Sequence, residues 1–106
     1  MHTGPAEERF VAIVAALRKK AGVTVGGKGF GSSGLKYRGR LFAMVSSKGQ
    51  FVAKLPRERV DELVRLGQGE YFDPGHGRKM KEWVAMSGHA SEWMAIAREA
   101  YDHARG

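Results

Sequence analysis

Residues 26–55 (GGKGFGSSGLKYRGRLFAMVSSKGQFVAKL) confine the chain to a glycine-rich loop followed by three short strands joined by tight turns. Segments 35–38, 40–46 and 50–55 are rich in β-branched and aromatic residues. Arg38-Gly39 and Ser47-Lys48-Gly49 punctuate them as hairpin turns. Alternation puts Leu35 and Tyr37 on one face with Lys36 and Arg38 on the other, and sets Phe51, Ala53 and Leu55 against Gln50, Val52 and Lys54. The middle strand breaks this rule, because Leu41-Phe42-Ala43-Met44-Val45 is apolar on both faces. Such a strand is central, covered on both sides, or offers its second face to another chain.

Helical patterns flank the meander. Phe10, Ile13, Val14 and Leu17 recur at i, i+3, i+4 and i+7, predicting a helix over 6–21 with Arg18, Lys19 and Lys20 in its last turn and Gly22 at its end. Residues 23–34 read as a loop with a short irregular strand near 28–31. Pro56 opens a second helix, 56–66, which turns Val60, Leu63 and Val64 inward and stops at Gly67. Residues 69–72 and 82–86 read as further strands, with a basic loop over 76–81 between them. Trp93, Ile96, Ala97, Ala100, Tyr101 and Ala104 mark an amphipathic C-terminal helix from about residue 90. Segregated runs of helix and strand predict one α+β domain over 1–106, with helices on one face of a mainly antiparallel sheet.

The 106 residues support one core but not two. Neither a membrane-length apolar run nor a signal-peptide pattern is present, which predicts a cytoplasmic protein. With no cysteine, thiol catalysis and cysteine metal sites are excluded. His2, His76, His89 and His103 lack ligand spacing, so neither a metal nor another cofactor is expected.

Gly29-Phe30-Gly31-Ser32-Ser33-Gly34 has the form G-x-G-x-x-G, but a strand follows it and no acid appears before Glu58. A dinucleotide site needs a helix there and an acidic residue about 20 positions on. Nor is there a catalytic aspartate loop to complete a kinase beside Val52-Ala53-Lys54. What is left for the loop is an anion nest at Lys28, Gly29, Gly31 and Ser32, against the plainer reading of a close-packing glycine loop. No serine elbow or carboxylate pair is present, so the chain is expected not to be an enzyme.

The net charge of +7 is unevenly spread. From Arg18 to Arg57 there are ten lysines and arginines and no acid. Such a field favours polyanions, membranes or acidic protein surfaces, unless its residues are simply solvated strand faces. Lys36-Tyr37-Arg38-Gly39-Arg40-Leu41-Phe42 interleaves cations with aromatics. A basic strand face of Lys36, Arg38, Arg40, Lys48 and Lys54, joined by Arg78, Lys79 and Lys81, is the candidate nucleic-acid surface. Trp83 and Trp93 read as core, and Met44, Met80, Met86 and Met94 as packing.

Three stretches together resemble the N-terminal domain of the TfoX/Sxy family of competence regulators: Gly29-Phe30-Gly31 leading into 34–45, Phe51-Val52-Ala53-Lys54-Leu55, and Met80-Lys81-Glu82-Trp83-Val84. The resemblance spans nearly the whole chain. It implies a two-layer α/β sandwich of the secretion-chaperone-like kind and a non-catalytic regulatory role through protein contact. With the final helix running to Gly106, the helical second domain usual in that family is expected to be absent, and a methionine is common where this chain has Gly29. With no catalytic constellation and a strand apolar on both faces, a protein partner or a second copy is expected, with Phe42, Met44 and Val52 as the contact or homodimer surface. Nucleic acid is the alternative partner.

Overall fold

The computed structural model describes residues 5–25, 34–46, 50–73, 77, 79–86 and 90–106. Helix α1 spans Pro5–Leu17, followed by strands β1 (Val23–Val25), β2 (Leu35–Tyr37), β3 (Arg40–Val45) and β4 (Phe51–Lys54). Next come helix α2 (Arg57–Arg65), strands β5 (Gly69–Phe72) and β6 (Met80–Met86), and helix α3 (Ala90–Arg105). The strands form one six-stranded antiparallel sheet in the order β1-β2-β3-β4-β6-β5. Helix α3 packs on β2, β3 and β4, α1 on α3 and β3, and α2 on β5 and β6. The fold is thus α+β, a helical layer on one face of an antiparallel sheet.

Two local readings are corrected. Helix α1 ends at Leu17, and residues 18–20 form turns beyond it, with Lys20 N–H donating to the Leu17 carbonyl and Val23 N–H to that of Lys20. The chain turns here because it must enter β1, whose Val23, Thr24 and Val25 pair with Tyr37, Lys36 and Leu35. Gly22 makes the entry with φ +81°, and a β-carbon there would stand 2.6 Å from the Tyr37 ring. Val23-Thr24-Val25, read as loop, is a β-branched triplet suited to a strand. The irregular strand expected near 28–31 lies outside the described residues.

The helix-side core gathers Phe10, Ile13 and Leu17 of α1, Val60 and Leu63 of α2, and Trp93, Ile96, Ala97, Ala100 and Tyr101 of α3 over Leu35, Phe51, Ala53 and Val84. Phe51 lies at its centre, stacked on Trp93 with 5.3 Å between ring centroids and tilted against Phe10 at 5.9 Å. Met44, Val52, Phe72 and Ala85 make a smaller apolar cluster on the sheet's other face, edged by Leu41 and Trp83.

Two register shifts shape the sheet. Leu35 pairs with Ala43 and Lys36 with Leu41, so Phe42 has no partner in β2. An extra residue of this kind sends two successive side chains to one face, and both Phe42 and Ala43 lie in the helix-side core. Met44 then resumes alternation on the other face. The second shift falls between β5 and β6: Tyr71 pairs with Val84 but Phe72 with Met80, leaving residues 81–83 without β5 partners.

The contact surface assigned to Phe42, Met44 and Val52 is corrected by this geometry. Phe42 and Met44 stand two apart and would share a face in a regular strand, but the bulge puts them on opposite sides. All three are closed off within the single chain, at 1%, 2% and 0% exposure. None of them offers surface to a partner or second copy.

Candidate nucleic-acid interface

The second register shift leaves residues 81–83 of β6 without partners in β5. On the β4 side the ladder continues, with Trp83 opposite Lys54 and Leu55 N–H donating to the Glu82 carbonyl at 3.1 Å. Cross-strand partners share a face, so Lys54 and Trp83 stand side by side, with the Lys54 ammonium 6.0 Å from the indole centroid.

An open groove of about 460 Å³ lies here, lined by Lys54, Arg57, Lys79, Lys81 and Trp83, with Met80 and Glu82 completing it. Trp83 is half-buried. It packs against the outer apolar cluster and also lines the groove, so its ring is both held and accessible. Met80 is 40% exposed beside it. Four cations against the single carboxylate of Glu82 make the groove positive. Arg57 comes from the start of α2, Lys54 from the end of β4, and Lys81 from the unpaired part of β6. Lys79 also borders a second depression, lined by Gln50, Glu70, Tyr71 and Asp73.

Much of the negative charge on this half of the molecule is engaged away from the groove. Arg59 donates from Nε to Glu99 Oε1 at 2.8 Å and from Nη2 to Glu99 Oε2 at 3.0 Å, and it also donates to Glu62. The hydrogen bond to Glu99 is the largest influence raising the Arg59 pKa above its ordinary value. Tyr71 donates its hydroxyl to Asp61, which raises the pKa of the phenol, and Gln50 donates to Glu70. Among the described residues the ion pairs are Arg59 with Glu62 and with Glu99, and Arg105 with Asp102, so the groove cations meet no carboxylate at salt-bridge distance.

The basic residues expected to share one strand face are divided among several places. Lys54, Lys79 and Lys81 converge in the groove. Lys36 lies opposite Leu41 on the outer face, half-buried, one strand beyond β3. Arg40 instead pairs with Tyr37 and borders a small pocket beside α3 with Ala100 and His103. Arg38 occupies the β2–β3 turn at φ +49°, its guanidinium 5.5 Å from the Tyr37 centroid. The single basic face is corrected accordingly, because the turn and the bulge deal Lys36, Arg38 and Arg40 to different directions. Lys48 and Arg78, and the anion-nest residues Lys28, Gly29, Gly31 and Ser32, lie outside the described residues.

Sequence reading missed Arg57, Met80 and Trp83 as groove residues. Trp83 reads as core because a lone tryptophan is more often packed than part of a ligand cage. Its one legible sign was the run of charges before it, Lys79, Lys81 and Glu82, at a strand end. Among the described residues no cluster of three or more His, Asp or Glu can hold a metal, and no helix is long and apolar enough to cross a membrane. Comparison of the chain with protein-family models, curated proteins and solved structures finds no match.

Proposed function

We propose that the chain is a non-catalytic binding module, regulatory in the way its TfoX/Sxy resemblance implies, and that its groove takes single-stranded nucleic acid. The observation that carries this reading is the convergence of Lys54, Arg57, Lys79 and Lys81 on a held, partly exposed Trp83. Cations attract the phosphate backbone whatever its sequence, and an indole offers a π-face on which any unpaired base can stack. Bases in a duplex are already stacked on one another, so the tryptophan favours a single strand. Little sequence preference follows, since a stacking surface reads no base edges.

Contact with a protein partner is the weaker reading, because the apolar surface named for it is closed within the chain. Fluorescence anisotropy tests the proposal, using labelled oligothymidylate and a duplex of equal length at low and physiological salt, with polyglutamate as competitor. Micromolar binding that persists at physiological salt and prefers the single strand is expected. Each groove cation removed should lower the log-log salt slope by about 0.7. Binding that vanishes at physiological salt, yields fully to polyglutamate, or survives the K79E/K81E double variant unchanged contradicts the reading.

A further inference from the structure

We propose that a second, smaller pocket, between the start of β3 and the last turns of α3, binds a small organic anion with an apolar body about the size of one ring. The pocket has a volume of about 180 Å³. It is bordered by Leu41 and Ala104, which are partly exposed over the buried Phe42 and Ala100, and Arg40 and His103 supply its polar side. No carboxylate lines it, which sets it apart from the groove, where Glu82 is present.

The local fold builds this arrangement. Ala100, His103 and Ala104 fall at i, i+3 and i+4 and so share one face of α3. Arg40 faces them because its cross-strand partner is Tyr37, whose ring lies edge-on to Tyr101 of α3 at 5.8 Å. The bulge turns Phe42 to the same side, 5.9 Å from the Tyr101 ring. Arg40 and His103 therefore meet the partly exposed Leu41 and Ala104 around one space.

Each part matches a part of the ligand. An apolar cavity of about 150 Å³ in another protein takes benzene, so this volume accommodates a single ring. The exposed guanidinium of Arg40 presents a planar fork suited to carboxylate or phosphate oxygens, and His103 adds a ring N–H donor. Lys54 borders the pocket as well, with its ammonium turned to the Trp83 ring on the groove side. Benzoate and phenylphosphate carry the required chemistry. Inorganic phosphate has only the charge, and benzyl alcohol only the ring.

Amide NMR titration of the full chain with these four compounds is the test. Saturable shifts at residues 40–42 and 100–104 are expected with benzoate or phenylphosphate, at least about tenfold tighter than with inorganic phosphate or benzyl alcohol. R40Q removes the fork and A104L fills the space. Each should weaken binding at least about tenfold while the remaining resonances stay in place. Lys54 is left unchanged because it also lines the groove, so this site and the groove stand or fall separately. Absence of saturable shifts, equal binding of inorganic phosphate, or full binding by A104L would overturn the proposal.

Discussion

The sheet is interrupted twice, and the two interruptions have opposite results. In β3 one extra residue, Phe42, has no partner in β2, and the consequence is a better-filled core. In β6 residues 81–83 have no partner in β5, and the consequence is an open groove. The difference lies in position and composition. β3 is an inner strand with apolar neighbours and a helix above it, so a displaced side chain is buried against Tyr101. β6 parts from an edge strand among Lys79, Lys81 and Glu82, which are all exposed to water. An irregularity of the same kind serves packing in one place and binding in the other.

The comparison breaks most sharply at Phe42. F42A removes a fully buried ring and should destabilise the fold by about 3–5 kcal/mol, measured by urea unfolding, whereas W83A should cost distinctly less. Equal losses would mean that Trp83 is a core residue and not a groove residue.

Gly69 tests the regular part of the β5–β6 pairing beside the gap. A β-carbon there would lie 2.7 Å from Val84 Cγ2 and 3.1 Å from the Ala85 carbonyl. G69A should therefore cost about 1–3 kcal/mol in the same assay. A neutral result would show that β5 shifts freely against β6.

Arg59 joins α2, over the β5–β6 half, to α3, over the rest of the sheet. A double-mutant cycle of R59M with E99Q should return a coupling of about 1 kcal/mol, modest because both side chains are partly exposed. The smallest effect belongs to Arg38, which holds φ +49° in a two-residue turn before Gly39 at φ +86°. Asparagine tolerates that conformation better, so R38N should stabilise by about 0.5 kcal/mol after loss of the contact with the Tyr37 ring.

What could be read from the residues divides along the same line. The alternation of Phe51, Ala53 and Leu55 and the helical spacing of Trp93, Ile96, Ala97, Ala100 and Tyr101 are local patterns, and they reveal the helix-on-sheet layering directly. Val23-Thr24-Val25 is equally local but was masked by the dense glycines that follow it. The bulges are different in kind. That Phe42 and Met44 part company, that Arg40 turns toward α3, and that β6 leaves β5 at residue 83 all depend on which residue of a distant strand stands opposite. Pairing register has no signature in a single strand. The groove unites Lys54 with Lys79 and Lys81 across more than twenty residues of sequence, so only Lys79 and Lys81 announce themselves as neighbours.

The most direct test of the groove is the fluorescence of Trp83 itself. The chain has two tryptophans, and W93F keeps an aromatic ring stacked on Phe51 while leaving Trp83 as the sole indole. Titration of this variant with oligothymidylate at physiological salt should quench the emission saturably, with the same midpoint as the anisotropy curve, as a base stacks on the ring. Binding by anisotropy with unchanged Trp83 emission would show that nucleic acid is held by charge elsewhere on the protein, and would contradict the groove as the site.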